Sequence, residues 1–550
     1  MLALGQIGLL VIVLALVQWP LGNALATAAT GTRHTRVERA VYRVVGVNPE
    51  SRQSWKSYAI ALMAFSVAGV ALLMAMLMLN GKLPFSQGTP NMGWAGALNT
   101  SVSFVTNTNW QWYSGESTLG YAVQAGGLTV QNFLSAAVGI AVAFALARAF
   151  AAHQADAIGN FWVDLTRVTS RILVPLSVGA TLLFLGGGVI DNLNAPRVVT
   201  TLTGAAQTIP GGPVATQEAI KQVGTNGGGF FNANAAHPFE NPTSLTNLLS
   251  IALLLAIPFA LPRALGIILG NKRQGNAILA AMASLWIAAV GLLTWAELAG
   301  KGAAPALAGA AMEGKESRFG LAASALYAAS TTSTSTGSIN ASHDSLTAPG
   351  SLTAIGAMLL GEISPGGTGS GLYGMLIIAV LSVFLAGLMV GRTPELYGKK
   401  IGSREMSLVA VYIVVTPALV LGGTALTLGV SSLKNAAVTQ GGAHGVTSAL
   451  YAYASAGNNN GSAFGSFAAG GTWQNVLLAI VMFAGRFLPI VLALALAGAL
   501  AAAKRIPSSA GTLRSDTPLF TALLVGVAPI IALVAYAPVL ALGPLGEALQ

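Results

Sequence analysis

Apolar runs long enough to cross a bilayer recur along this chain, and between them sit shorter apolar stretches that each stop at a cluster of Thr, Ser, Asn and Gly. At about 20 residues per crossing, spans are expected at 2–16, 58–79, 130–150, 172–190, 244–270, 277–297, 352–391, 407–429, 473–503 and 519–542. The polar clusters are 106-TNTNWQ-111, 225-TNGGGFF-231, 331-TTSTSTGSIN-340 and 458-NNNGSAF-464. Counting from Gln111 to Gly227, Gly337 and Gly461 gives steps of 116, 110 and 124 residues, so the pattern reads as four copies of one unit.

Each unit has a span, a short apolar helix (near 94–105, 214–224 and 319–329 in the first three) that ends in a polar loop, and a second span. Irregular backbone at membrane depth survives only where protein buries it or where it lines a watery cavity. Four such loops at a repeating interval are therefore not ordinary turns; they read as a cation pore. A desolvated alkali cation needs a cage of oxygens, which rings of backbone carbonyls supply. Glycine lets successive carbonyls face one way, and Thr and Ser add hydroxyl oxygens. The expected organisation is a first helix with a basic loop over 1–57, four repeats over 58–150, 172–270, 277–391 and 407–503, and a last helix over 519–550. The class is an all-α integral membrane protein of about ten helices at the usual ~20 residues each.

Composition sharpens this picture. The chain is 54% hydrophobic and 8% charged, as expected of a membrane protein, and has no cysteine for disulfides, thiol catalysis or Cys-ligated metals. Its net charge of +10 reflects topology rather than nucleic-acid binding. With all four loops outside, the inner segments hold 19 of the 27 Lys and Arg. These include six in 31–56 and also Arg148, Arg167, Arg171, Arg263, Arg392, Lys399, Arg404, Lys504 and Arg514. The positive-inside rule then places both termini outside. The first apolar run has no Lys or Arg before it, so a retained helix fits better than a secretory signal.

No GxxxxGK[ST], kinase set, HExxH or DKTGT occurs. The run 224-GTNGGG-229 lacks the strand and following Lys of a phosphate cradle, and the five His are scattered, which favours surface or capping roles for them. Two segments break the repeat. The stretch 361-GEISPGGTGSG-371 has too many Gly and a Pro for a continuous helix. Arg486 lies in 476-VLLAIVMFAGRFLPIVLALALAGAL-500, apolar on both sides. An Arg near mid-membrane costs about 2.5–3.5 kcal/mol on insertion scales and needs a partner. Glu362 is the expected one, the two forming a charged gate below the loops.

The stretches 97-ALNTSVSFVTNTNWQWYSGESTLGY-121, 221-KQVGTNGGGFFNANAAHPFENPT-243 and 455-SAGNNNGSAFGSF-467 closely resemble the potassium-binding subunit family of the bacterial Kdp potassium-transporting ATPase, over nearly the whole chain. The resemblance implies four membrane–pore–membrane units that mimic a tetrameric potassium channel in one chain. It implies potassium as the transported ion, selected from outside and passed through an intramembrane tunnel to a separate P-type ATPase subunit, KdpB, with KdpC and KdpF as small partners in the inner membrane. No nucleotide would bind to this chain. The filter positions it implies are Thr106, Asn107, Thr108, Asn109 and Gln111; Thr225, Asn226, Gly227 and Gly228; Thr334, Ser335, Thr336 and Gly337; and Asn458, Asn459, Asn460 and Gly461. Gln111 would stand where the other repeats have Gly. The competing reading is a self-contained potassium transporter or channel of the same superfamily.

Overall fold

The computed structural model describes residues 2–299, 311–389, 391, 393–507 and 512–549. Arg392 and residue 390 of the expected span 352–391 lie outside the described residues. Among those described, ten helices are long and apolar enough to cross a membrane: Gly5–Thr30, Trp55–Met78, Tyr121–Ala151, Phe161–Gly186, Ser244–Ile268, Lys272–Ala299, Ser370–Met389, Ser403–Gly429, Thr472–Ala502 and Pro518–Leu542. The chain is a multi-pass membrane protein.

Four shorter helices, Trp94–Val105, Val214–Val223, Gly320–Ser333 and Gly442–Gly457, lie between spans, and each stops where a polar loop begins. The spans that follow these loops form the centre. In the helix that leads out of the first loop, Ala136, Ala137, Ala141, Ala143, Ala145 and Ala147 are all buried, because small residues let helix backbones approach closely in a bilayer. The spans that precede the loops turn apolar side chains such as Ile60, Leu72, Leu182 and Val414 outward, as expected of a lipid-facing ring.

Several boundaries differ from expectation. The first helix runs on from Leu2 to Thr30 through Gln18 and Asn23, which its neighbour accommodates. Arg263 donates from Nε to Asn23 Oδ1 at 3.2 Å and stacks on Trp19 at 4.6 Å. This contact, with Leu14 beside Phe259 in one groove, makes the first helix parallel to Ser244–Ile268. The spans expected from 130 and 172 begin earlier, at Tyr121 and Phe161, each crossing a π-helical stretch, Gln124–Thr129 and Thr169–Leu173. Such wide turns are single-turn insertions within α-helices. Arg167 and Arg171, which lie before the expected span, therefore sit inside its helix, and Arg171 pairs with Glu38 at 2.5 Å. The segment 191–213, expected outside, carries an antiparallel hairpin in which Arg197 pairs with Ile209.

The expected break is present. Helix Ala348–Leu359 stops, residues 360–369 form a loop, and the span resumes at Ser370. Gly369 fits only because it has no side chain, since a Cβ there would collide with the backbone of Gly139.

Candidate cation filter

Each polar loop places two residues, two positions apart, in the left-handed region: Asn107 (φ 65°) and Asn109 (54°), Thr225 (47°) and Gly227 (92°), Ser335 (55°) and Gly337 (78°), Asn459 (58°) and Gly461 (98°). Alternating left- and right-handed residues turn successive carbonyls to one side of the strand. For a β-branched residue such as Thr225 this conformation is a genuine outlier, held because the surroundings over-determine it.

The loops close into a ring. A Cβ on Gly227 would collide with the Thr336 carbonyl and lie 2.7 Å from Ser338 N. One on Gly337 would strike the Asn460 carbonyl, one on Gly461 the Thr108 carbonyl, and one on Gly228 the Asn109 carbonyl. The second repeat thus touches the third, the third the fourth, the fourth the first, and the first the second.

This geometry corrects the register. The position matching Gly227, Gly337 and Gly461 in the first repeat is Asn109, and Gln111 lies two residues beyond it. Gln111 faces Gly229 instead, donating from Nε2 to its carbonyl and accepting from its N–H, both at 3.0 Å. The ring is asymmetric at Asn109, whose buried amide oxygen and nitrogen have no hydrogen-bond partner among the described residues.

Side chains below the glycine level stitch neighbouring loops together. Asn107 Nδ2 donates to the Thr225 carbonyl at 2.9 Å, Ser335 Oγ to the Asn458 and Asn459 carbonyls at 2.8 and 2.9 Å, and Asn459 Nδ2 to Thr108 Oγ1 at 2.9 Å. The Asn226 amide lies against Ser135 and Asn107. Hydroxyl pairs brace the first and third loops, Thr106 with Thr108 and Thr334 with Thr336, each at 2.7 Å. The second loop is braced differently. Thr225 Oγ1 accepts from the Thr368 N–H at 3.0 Å, and Thr368 Oγ1 donates to the Gly224 carbonyl at 3.0 Å. The broken segment 360–369 therefore reaches the underside of the ring.

The same segment carries Glu362, buried and left-handed at φ 51°. Its Oε1 accepts from Asn460 Nδ2 at 2.9 Å, and Ser335 lies against the same carboxylate. The expected Glu362–Arg486 ion pair is not formed among the described residues. The Arg486 guanidinium instead stands over Gly139 beside the Thr368 carbonyl, and lines a cavity of about 110 Å³ with Tyr373, Tyr412, Asn458 and Asn459. That cavity adjoins the start of the fourth loop at Asn458 and Asn459. On the other side of the ring, a vestibule of about 610 Å³ is lined by Asn109, Gly228, Gly337 and Gly461, one residue from each repeat.

Other residues at the site were not expected from the sequence. Lys221 is fully buried between Glu218 and Glu240, each 2.6 Å away, and donates to Asn234 Oδ1 at 2.7 Å. Asn234 in turn donates to the Gly227 carbonyl at 2.7 Å. A signal existed in the i, i+3 pair Glu218 and Lys221 within the re-entrant helix Val214–Val223. Tyr327 bonds Ser338 at 2.6 Å and Tyr451 bonds Ser462 at 2.8 Å, an identical brace in the third and fourth repeats. His343, expected at the surface or a cap, is buried with Nδ1 2.6 Å from the Tyr451 hydroxyl.

The model of the family described as KdpA, potassium-transporting ATPase A subunit, matches residues 8–549. The chain belongs to the KdpA family. Its relatives within that family include proteins named potassium-transporting ATPase potassium-binding subunit from Clavibacter michiganensis subsp. michiganensis and Kineococcus radiotolerans, each 53% identical over 99% of this chain and 98% of their own length. The protein of that name from Mycobacterium avium is 51% identical over 99% of this chain and 98% of its own. Among solved structures, the potassium transporter TrkH from Vibrio parahaemolyticus superposes with a TM-score of 0.53 at 16% identity, covering 88% of this chain and 96% of its own. That likeness shows that the chain shares its fold with TrkH.

Proposed function

We propose that this chain is the potassium-binding and translocating subunit of an ATP-driven high-affinity uptake complex. It takes potassium from outside in the four-loop filter and hands it through the membrane to an ATPase partner. The observation that carries this reading is the closed ring of four left-handed turns over a loop bearing a buried carboxylate.

The carbonyls of 106–109, 225–228, 334–337 and 458–461 replace the hydration shell of the ion, with Gln111 as a brace rather than a ligand. Each re-entrant helix aims the negative end of its dipole at the ring, worth roughly 0.3–1 kcal/mol per helix when exposed and up to about 2 when partly buried. Below the ring, Glu362 offers a buried carboxylate, and the loop at Thr368 obstructs the straight path. The ion then turns into the cavity past Arg486, whose positive charge opposes free passage and makes it a gate.

Relatives named as ATPase subunits over 99% of this chain support an energy-coupled partner, for which we assign the P-type subunit KdpB, with KdpC and KdpF completing the complex in the bacterial inner membrane. ATP binding and hydrolysis belong to KdpB. A self-contained transporter is the weaker reading, because those relatives carry the ATPase name. The mouth and both termini face outside. In support, the first helix runs parallel to Ser244–Ile268, the helix Pro544–Ala548 meets the vestibule side through Glu547 and His444, and the inner segments then hold most of the Lys and Arg.

The test is ATP hydrolysis by the purified chain and by the complex. The chain alone should bind potassium and hydrolyse nothing, while the complex should show potassium-stimulated hydrolysis. Hydrolysis by the chain alone, free of pump subunit, contradicts the assignment.

A further inference from the structure

At the vestibule edge three separate elements converge on one imidazole. His444, in the first turn of the fourth re-entrant helix, has Nε2 2.8 Å from Asp344 Oδ1 and Nδ1 2.9 Å from Glu547 Oε1. Asp344 belongs to the outer segment after the third loop, and Glu547 to the helix Pro544–Ala548. Both carboxylates also reach the fourth repeat directly. Glu547 Oε2 accepts from Thr447 Oγ1 at 2.9 Å, and Asp344 accepts from the Ser466 N–H at 2.8 Å and hydroxyl at 3.1 Å. No other ionisable side chain is bonded to this cluster among the described residues.

The cluster is continuous with the filter. The His444 ring stacks on Phe464 (5.8 Å, 17°), which stacks on Tyr451 (4.2 Å, 30°). The Tyr451 hydroxyl bonds Ser462 Oγ at 2.8 Å, and Ser462 donates to Asn460 Oδ1 from Oγ at 2.6 Å and from its N–H at 3.1 Å. Asn460 contributes a carbonyl to the ring and donates its amide to Glu362. A path of direct contacts thus runs from Glu547 through one face of the fourth loop to the carboxylate below it.

We propose that His444, bridging Asp344 and Glu547, is a positioning residue for the fourth filter loop, and that the helix Pro544–Ala548 takes part in ion selection by holding that loop in register. The proposal rests on the filter reading above. An aromatic stack and short hydrogen bonds transmit displacement well, since interiors are close-packed, and a ligand set must be held within about 0.5 Å of its working geometry. Loosening the clamp therefore degrades the fit to potassium more than it degrades the pumping machinery.

The experiment uses the full complex in proteoliposomes, with His444→Gln, Asp344→Asn and Glu547→Gln compared with the parent for potassium and rubidium uptake. The expected result is a rise of about tenfold in the potassium concentration for half-maximal uptake, equivalent to ~1.4 kcal/mol, with the maximal rate within about twofold of the parent and a smaller preference for potassium over rubidium. Glu547→Gln, at a partly exposed site, serves where His444→Gln does not accumulate. Unchanged half-saturation in that variant, or a lower maximal rate with unchanged half-saturation and ion preference, overturns the clamp. A parent complex that moves no potassium would instead overturn the filter reading itself.

Discussion

Asn460 joins the fourth filter loop to Glu362 beneath it, donating from Nδ2 to the carboxylate at 2.9 Å and to the Thr331 carbonyl at 3.0 Å. One side chain thereby ties a ring carbonyl of the fourth repeat to the third repeat and to the broken segment of 360–369. On the proposed path, an ion leaving the ring meets this carboxylate first.

The Glu362 and Asn460 pair should therefore be energetically coupled, by about 0.5–3 kcal/mol as for residues in contact, in a double-mutant cycle of Glu362→Gln and Asn460→Ala read by potassium half-saturation. Glu362 and Arg486, which form no ion pair, should show the weaker coupling. Arg486→Met should leave the ion preference intact while reducing coupled transport or permitting leak at equal membrane expression. Wild-type transport with no leak removes the gating role of Arg486.

The register of the ring makes a second prediction. Gln111→Ala should raise half-saturation less than Gly227→Ala, because Gln111 only braces Gly229 whereas a Cβ at Gly227 meets the Thr336 backbone. Asn109→Gly, which gives the first repeat the residue of the other three, should be tolerated better than Gly461→Asn. Uptake at limiting potassium decides both comparisons, and a Gln111 variant worse than the Gly227 variant would return Gln111 to the ring.

Much of this was legible in the chain. Hydropathy marks the spans because a bilayer demands long apolar helices, and 361-GEISPGGTGSG-371 announces the break because its Pro and Gly cannot sustain one. The register error has an equally physical cause. Asn tolerates the left-handed conformation nearly as Gly does, so aligning glycines passes over Asn109 and settles on the wrong partner. Pairing Arg486 with the nearest carboxylate fails because its guanidinium stands over Gly139 and lines the cavity beside Asn458 and Asn459. The buried Lys221 trio stayed hidden because its members are distributed over a helix and a loop, and Glu240 lies nineteen positions from Lys221.

The clamp at His444 predicts a pH profile for stability. Its hydrogen bonds to Asp344 and Glu547 raise the imidazole from its usual 6.5 to about 10. A group raised in the folded state contributes stability fully below its unfolded value and loses it as pH rises through the folded one. Burial, the largest single influence, would raise Asp344, but the bond and charge of His444 and the Ser466 hydrogen bonds together outweigh it and the net shift is downward, so its contribution is present above the usual carboxylate range and lost as pH falls through the lowered value. Thermal unfolding of the complex should therefore show a contribution from this cluster that fades between pH 6.5 and about 10. His444→Gln should abolish that alkaline component, and an unchanged profile in the variant would remove the linkage.

The most direct measurement of the central claim is uptake by the Gly337→Asp complex at limiting potassium with rubidium as competitor. Gly337 is left-handed at φ 78°, and a Cβ there meets the Asn460 carbonyl in the ring, so a carboxylate at this point distorts the cage that replaces the hydration shell. The account predicts a rise of about tenfold or more in half-saturation, ~1.4 kcal/mol, and effective competition by rubidium, with the protein still folded and inserted. Parental affinity and ion preference in that variant would contradict a four-loop potassium filter.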